Sequence, residues 1–159
     1  MNIWRLITHH EISDEALVWY RKNHCVCIGW HDVGNIQQRG YQASVEIGEV
    51  IRCVYPTLRN SATGGPTLWN FYHRVKVGDL ILLRHDGVNR AVAKVTGNYS
   101  WKQDSKNGND PLDGYPHLRS VKFISENPQK LWDSTELALG ENQRWTLAQR
   151  VPHKTELSS

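Results

Sequence analysis

The chain lacks the signatures of several large protein classes. No apolar run reaches the roughly 20 residues that a membrane-spanning helix needs. No signal-peptide pattern opens it, because Asn2-Ile3-Trp4-Arg5 soon meets His9-His10-Glu11. Cysteine is scarce: Cys25, Cys27 and Cys53 are the only three, an odd count that argues against a disulfide framework. These absences predict a soluble cytoplasmic protein with no membrane partner. His24-Cys25-Val26-Cys27 leaves a single residue between its cysteines, where structural zinc loops leave two to four. On an extended strand both thiols share one face, so they read as core. Catalytic signatures are missing too. No His-x-x-x-His pair stands out on a helix, and no Gly-x-Ser-x-Gly or phosphate-binding loop occurs. Asp79, Asp86, Asp104, Asp110 and Asp113 are dispersed over turns and loops, whereas a nuclease needs carboxylates clustered on a metal. The pairs His31-Asp32 and His85-Asp86 are sequence neighbours, which on a strand point to opposite faces. The expectation is a binding protein rather than an enzyme, with no metal and no cofactor.

What the chain does have is tryptophan, seven in 159 residues. Burying all of them is difficult, because each indole N–H needs a partner, so some are expected to face a pocket. Apolar residues at 39% and charged residues at 22% fit a globular domain. A formal charge of +3 permits a polyanionic partner without demanding one.

Residues 2–8 alternate and read as a strand. Ser13 is placed as N-cap of a helix that opens with Asp14 and Glu15 and closes with Arg21 and Lys22, the order the helix dipole prefers. Residues 24–30 read as a strand with a bend at Gly29, and 31–40 as looser. Over 41–55, Val45, Ile47, Val50, Ile51 and Val54 fit a helical period better than alternation. Residues 59–66, with Gly64-Gly65-Pro66, read as a loop, after which Thr67 caps a short helix over 68–73. Val77-Gly78-Asp79 is a structural turn into a buried strand, 80–83. Asp86-Gly87 is a hairpin turn into the partner strand, 90–95. Residues 102–114 read as a mobile loop and 117–124 as a strand with Arg119, Val121 and Phe123 on one face. Residues 128–140 read as helical or irregular, and 143–151 as a strand closing the sheet. Trp4, Trp19, Trp132 and Trp145 are assigned to packing, as is Trp69 with Phe71 and Tyr72. The predicted class is α+β: five or six short, mostly antiparallel strands in a curled sheet or open β-barrel, with helices around it. One domain is expected over 1–152, with a disordered tail over 153–159.

Three spaced segments carry the functional signal: Ile28 to Asn35, Val75 to Gly87, and Val92 to Trp101. Each delivers an aromatic or polar side chain where a strand stops, which is how a small β-barrel builds a flat-walled pocket. Such a pocket suits a planar ligand, and a nucleobase is the commonest one.

In order and spacing the segments resemble EVE domains, the branch of the PUA-like superfamily closely related to YTH domains. EVE domains carry Trp-x-x-Val-x-Asn, matched by Trp30-His31-Asp32-Val33-Gly34-Asn35. They carry a basic-x-Gly-Asp turn, a hydrophobic strand and Tyr-His-Ser, matched by Lys76-Val77-Gly78-Asp79, Leu80 to Leu83, and Arg84-His85-Asp86, where only the histidine is kept. An Ala-Val-Ala-Lys-Val-Thr-Gly strand follows. The resemblance covers about 28–124 and is closest to EVE-like specificity modules of modification-dependent restriction systems. It implies a PUA-like open β-barrel whose pocket accepts a flipped-out, modified base, with Arg84 and His85 near the pocket mouth. It implies recognition of 5-methylcytosine or 5-hydroxymethylcytosine in double-stranded DNA for a restriction or defence system. Cutting would fall to a nuclease or motor domain in the same protein or operon.

Flipping a base costs a few kcal/mol, and stacking on an aromatic returns roughly 1–3 kcal/mol. Trp30 with Tyr99 or Trp101 are the candidate walls. A snug contact to one methyl adds about 0.8 kcal/mol. Asn35 can donate to and accept from a base edge, Asp32 can accept from an exocyclic amine such as cytosine N4, and Arg84 can meet a phosphate. Lys76, Lys102, Lys106 and Arg119 are candidates for the nucleic-acid backbone. Each also has a plain reading: the aromatics as core, Asn35 as a turn residue, the cations as a solvated face. Two other functions stay open. One is a YTH-like reader of N6-methyladenine in RNA; the other is a protein-interaction module that touches no nucleic acid.

Overall fold

The stretch Leu80-Ile81-Leu82-Leu83 is apolar at every position because its strand is covered on both faces. It lies in the middle of a seven-stranded sheet in the computed structural model, which describes residues 1–8, 12–57 and 61–153. The chain runs β1 (Ile3–Ile7), α1 (Ser13–Asn23), β2 (Cys25–Ile28), a 3-10 turn (His31–Val33), α2 (Ile36–Arg39), α3 (Ser44–Val54) and α4 (Ser61–Trp69). A π-helical turn (Asn70–Arg74) leads to β3 (Leu80–His85), β4 (Val88–Trp101), β5 (His117–Ile124), α5 (Pro128–Asp133), β6 (Thr135–Leu137) and β7 (Leu147–Pro152).

The strand order is β2-β5-β4-β3-β1-β7-β6. The class is α+β with mostly antiparallel strands, as expected, but the strand count differs. Seven strands form, because β6 is drawn from residues 135–137, too short to show an alternation. The central β1–β3 pairing is parallel and the other pairings are antiparallel. The sheet is open, with β2 and β6 as its edges. No helix among the described residues is long and apolar enough to cross a membrane.

One face of the sheet, through Trp4, Leu6, Ile81, Leu83, Ala93 and Val95, packs on α1, α3, α4 and the π-turn in the main core. The other face, through Ile3, Leu80, Leu82 and Val92, is covered by Leu131 and Trp132 of α5. The Asp79 carboxylate locks β1 beside β3. Its Oδ1 accepts the Asn2 N–H at 2.9 Å, and its Oδ2 accepts the Trp4 indole N–H at 3.0 Å and the Lys76 N–H at 2.9 Å. The Asp86-Gly87 hairpin forms as expected, with both residues at positive φ. Residues 41–55 yield α3, as their period predicts.

Two helix readings are corrected. Ser13 is the first helical residue; Ile12 occupies the N-cap and makes no side-chain cap bond. Gly64-Gly65-Pro66 and Thr67 lie inside α4 rather than in a loop and at a cap; residues 58–60 lie outside the described residues. The two glycines are there for close approach. A Cβ on Gly65 would sit 2.7 Å from the Ser44 carbonyl oxygen and 3.0 Å from the Gly48 nitrogen on α3, so the α3 and α4 backbones nearly touch. A Cβ on Gly64 would meet Ile51 and the Trp30 indole. Of the tail expected over 153–159, His153 donates its N–H to the Ser134 carbonyl at 3.1 Å, and the rest lies outside the described residues.

Helix propensity and packing make opposite predictions at the two facing glycines. Gly48 has open space where a Cβ would stand, so Gly48→Ala is expected to stabilise by up to about 1 kcal/mol. Gly65→Ala is expected to destabilise by about 1–3 kcal/mol through overpacking, despite the same propensity gain. Urea unfolding of both variants checks this; equal effects would refute the close approach.

Candidate functional site

Trp30 leaves β2 in the left-handed region, with φ 67°, and starts the 3-10 turn. A side chain in that conformation costs about 1–2 kcal/mol, so something must hold it. The holder is a buried relay. The His117 Nε2 lies 3.2 Å from the Trp30 carbonyl oxygen. A carbonyl only accepts, so Nε2 carries the proton and donates, which leaves Nδ1 as an acceptor. The Tyr99 hydroxyl, 2.7 Å from Nδ1, donates to it and in turn accepts the Ile36 N–H at 3.1 Å. His117 is fully buried. Burial pushes its imidazole down to about 4, against the opposing pull of the Trp30 carbonyl, so the ring is neutral at physiological pH.

Around this relay the sequence-predicted residues gather. The Trp30 indole meets the Tyr55 ring edge-on at 5.6 Å, and the Tyr55 hydroxyl accepts the Asp32 N–H at 3.1 Å. His31 lies against Trp101 with ring centres 5.6 Å apart, and Trp101 meets His117 edge-on at 5.4 Å. Trp30 and Trp101 are half-buried and Asp32 is exposed. Asn35 caps α2, its Oδ1 accepting the N–H groups of Gln37 and Gln38. Trp30, Asp32, Asn35, Tyr99 and Trp101 therefore share one end of the sheet, where β2 and β4 stop and β5 begins. Tyr99 is buried and its hydroxyl is committed, so it supports the other residues.

Arg84 and His85 are not part of this cluster. Arg84 pairs with Asn89 near the start of β4, whereas Trp101 ends that strand opposite His117. The twelve steps from Asn89 to Trp101 span on the order of 35–40 Å at strand rise. A hairpin turns the chain at Asp86-Gly87, and β4 then carries it to the opposite end.

Two of the backbone candidates are internal. Arg119 is buried; its Nε donates to the Gly97 carbonyl at 3.0 Å and its Nη1 to those of Phe71 and Val75 at 2.8 and 2.7 Å. It knits the fold, and it also lines the groove beside Lys76. Lys102 points inward, with Nζ 3.0 Å from Asp110 and 5.5 Å from the Trp19 ring centre. Residues 102–114 are pinned as well: Asp113 accepts the Ser105 N–H and hydroxyl at 2.7 and 2.6 Å, and Asp104 accepts the Gly114 N–H at 2.8 Å. Lys76 and Lys106 are exposed. Lys76 edges a groove of about 290 Å³ with Gln37, Tyr72, His73, Asn98 and Tyr99. No group of three His, Cys, Asp or Glu side chains able to hold a metal forms among the described residues. Cys25 and Cys27 are buried on β2, and the neighbouring Cys25 thiol, with burial, pushes Cys27 up. Sequence reasoning missed His117, Tyr55 and His31. His117 opens a strand like any other residue, and only the register that sets it opposite Ile28 and Trp101 reveals it.

The relay gives the fold an acid limit. The unfolded imidazole titrates near 6.5 and the folded one near 4, so the unfolded state binds the extra proton between these values. Stability is complete above about 6.5 and falls as pH drops towards 4, by an amount of order 3 kcal/mol. In His117→Gln this part of the slope should vanish; urea unfolding between pH 4 and 7 measures it, and an unchanged slope would contradict the buried neutral ring.

A sequence model of a family described as a domain of unknown function, DUF8426, matches residues 4–145. No curated protein matches the chain. The match takes in the sheet from β1 to β6, all five helices and every candidate residue, so the chain belongs to the DUF8426 family.

Proposed function

We propose that this protein is a reader of a modified base in DNA, an EVE-type domain in which the seven-stranded sheet is a PUA-like barrel left open. The observation that carries the reading is the convergence of Trp30, His31, Asp32, Asn35 and Trp101. They come from segments some seventy residues apart, yet surround one buried relay at the strand ends. Two half-buried indoles offer apolar faces on which a flipped base can stack. The Asp32 carboxylate is open to solvent and suits an exocyclic amine. The Asn35 oxygen is committed to the α2 cap, so its amide NH2 is the group left for a base edge. Lys76, on the neighbouring groove, suits the phosphate backbone. In this reading the ligand is double-stranded DNA bearing 5-methylcytosine or 5-hydroxymethylcytosine. The biological setting is a cytoplasmic defence system whose nuclease lies in another domain or protein.

Titration of matched duplexes carrying cytosine, 5-methylcytosine, 5-hydroxymethylcytosine or N6-methyladenine, and of the corresponding RNAs, tests the reading. One modified cytosine duplex should bind best. Trp101→Ala should weaken that complex by roughly 1–3 kcal/mol while leaving the melting temperature near wild type, and affinity should fall steeply with salt. A preference for N6-methyladenine RNA would transfer the site to the YTH-like reading. Binding without regard to modification, or none at any salt, would refute base reading.

A further inference from the structure

At the opposite end of β4 from the aromatic cluster, the outer face of the sheet holds a cavity of about 490 Å³ lined by Arg5, Arg84, Arg150, His85, Trp132 and Leu137, among others. Three guanidinium groups converge there. Burial, then Arg150, then Arg84 push the Arg5 guanidinium down to about 10, so it remains charged at neutral pH beside two like charges. Arg84 and Arg150 both lie over the Trp132 ring, their guanidinium carbons 3.8 and 3.6 Å from its centre. Two carboxylates outside the cavity lining offset part of this charge, Glu141 acting on Arg5 and Glu136 on Arg150. Glu141 is bound by Arg74 at 2.6 Å, Glu136 pairs with His153 at 3.5 Å, and the outward Asp86 pairs with His85 at 3.2 Å.

The donors are fixed and partly unused. Arg5 donates from Nη1 to the Gln143 carbonyl at 3.0 Å and from Nη2 to that of Trp145, while its buried Nε has no partner. Arg150 is held by the Thr135 hydroxyl and the Trp132 and Thr135 carbonyls through Nε and Nη2. Arg84 is steadied by Asn89 at 2.7 Å through Nη1, which leaves its Nε–Nη2 edge for a ligand. Planar forks of this kind match tetrahedral oxyanions.

We propose that this cavity is a binding site for a phosphomonoester. Three guanidinium groups and one carboxylate, Asp86, line the cavity itself, with Glu141 and Glu136 acting on Arg5 and Arg150 from outside the lining; this lining suits a dianion better than the singly charged phosphodiester of an internal nucleotide. The volume is in the range of small-ligand sites, and Ile7 and Leu137 provide an apolar wall beside the charged end. The phosphate belongs either to a free small molecule or to the terminus of a polynucleotide. The site stands on its own geometry and does not depend on the base-reading proposal.

Calorimetric titration with inorganic phosphate, a mononucleotide, and a short oligonucleotide with either a 5′-phosphate or a 5′-hydroxyl, at constant ionic strength, tests it. Saturable phosphate binding is expected, weakened at least tenfold in Arg84→Gln and unchanged in Lys122→Gln, whose lysine is exposed on β5. Asp86→Asn removes the carboxylate at the mouth and should tighten binding by a few fold; Asn accepts the positive φ found there. This variant keeps the test alive if Arg84→Gln does not fold. Tighter binding of the 5′-phosphorylated oligonucleotide than of the mononucleotide would assign the site to polynucleotide ends, and the reverse to a free ligand. No saturable binding, equal binding of succinate, or affinity indifferent to both variants would overturn the proposal.

Discussion

The turn from Val75 to Asp79 is held between two buried charges, and much of the fold hangs on it. Taking an ion out of water costs several kcal/mol unless hydrogen bonds replace its hydration. Here backbone groups supply most of them. The Asp79 carboxylate gathers two backbone N–H groups and the Trp4 indole N–H, and the Arg119 guanidinium gathers three backbone carbonyls. Asp79 also acts across space on Arg119, opposing the downward pull of burial on the guanidinium. Between them they fix the start of β1, the start of β3, the end of the π-turn and the irregular part of β4. That irregularity matters for the site. Val95 faces Val121 and Tyr99 faces Arg119, so four steps along β4 are matched by two along β5, and the excess chain bulges at Gly97, where Arg119 holds it. The bulge sets the register that brings Tyr99 to His117 and so fixes the backbone of Trp30.

The tryptophans show how a chain with so many indoles avoids leaving them idle. Trp4 is fully buried, gives its N–H to Asp79 and lies 5.1 Å from the Arg74 guanidinium. Trp132 has two arginines over its ring, Trp19 lies near the Lys102 ammonium, and Trp69 stacks on His73 at 4.6 Å. The electron-rich face of the indole attracts cations, by about 0.5–1 kcal/mol at exposed sites and more where water is excluded. Most of the indoles thus stabilise a neighbouring charge or the core. Trp30 and Trp101, like Trp69, have aromatic and histidine rings as their neighbours, and they lie where β2 and β4 end.

Local pattern was legible where burial follows a simple period. The β1 alternation, the α3 stripe, the uniformly apolar β3 and the Asp86-Gly87 turn all appear where the residues predict them. Asp79 could be read as structural because a Gly-Asp turn before a buried strand has backbone donors to satisfy. What failed was information carried by partners distant in sequence. Gly64-Gly65-Pro66 looks like a loop unless α3 is known to press against it. Arg119 looks like a surface cation unless the carbonyls of the π-turn and the β4 bulge are known to converge on it. Lys102 looks like a backbone contact until Asp110 folds back upon it. The same limit split the predicted site. Segment order suggested that 30–35, 84–85 and 99–101 meet, but one long strand separates Arg84 from Trp101.

The arginine pocket is a different kind of constraint, because the free protein keeps an unfavourable arrangement. Like charges close together would swing apart into solvent if their side chains were loose. Arg5 and Arg150 cannot, since backbone carbonyls on 132–145 hold both guanidinium groups, and Arg84 is held over the Trp132 ring and by Asn89. A ligand anion then meets donors whose ordering cost has already been met in folding, and it removes repulsion rather than merely adding attraction. Binding of this kind stabilises the folded state by mass action. The strands that carry the three arginines, β1, β3 and β7, are adjacent in the sheet and join the parallel pair to its antiparallel flank. An anion bound across them would therefore tie together the part of the sheet that Asp79 secures from the other end of β1.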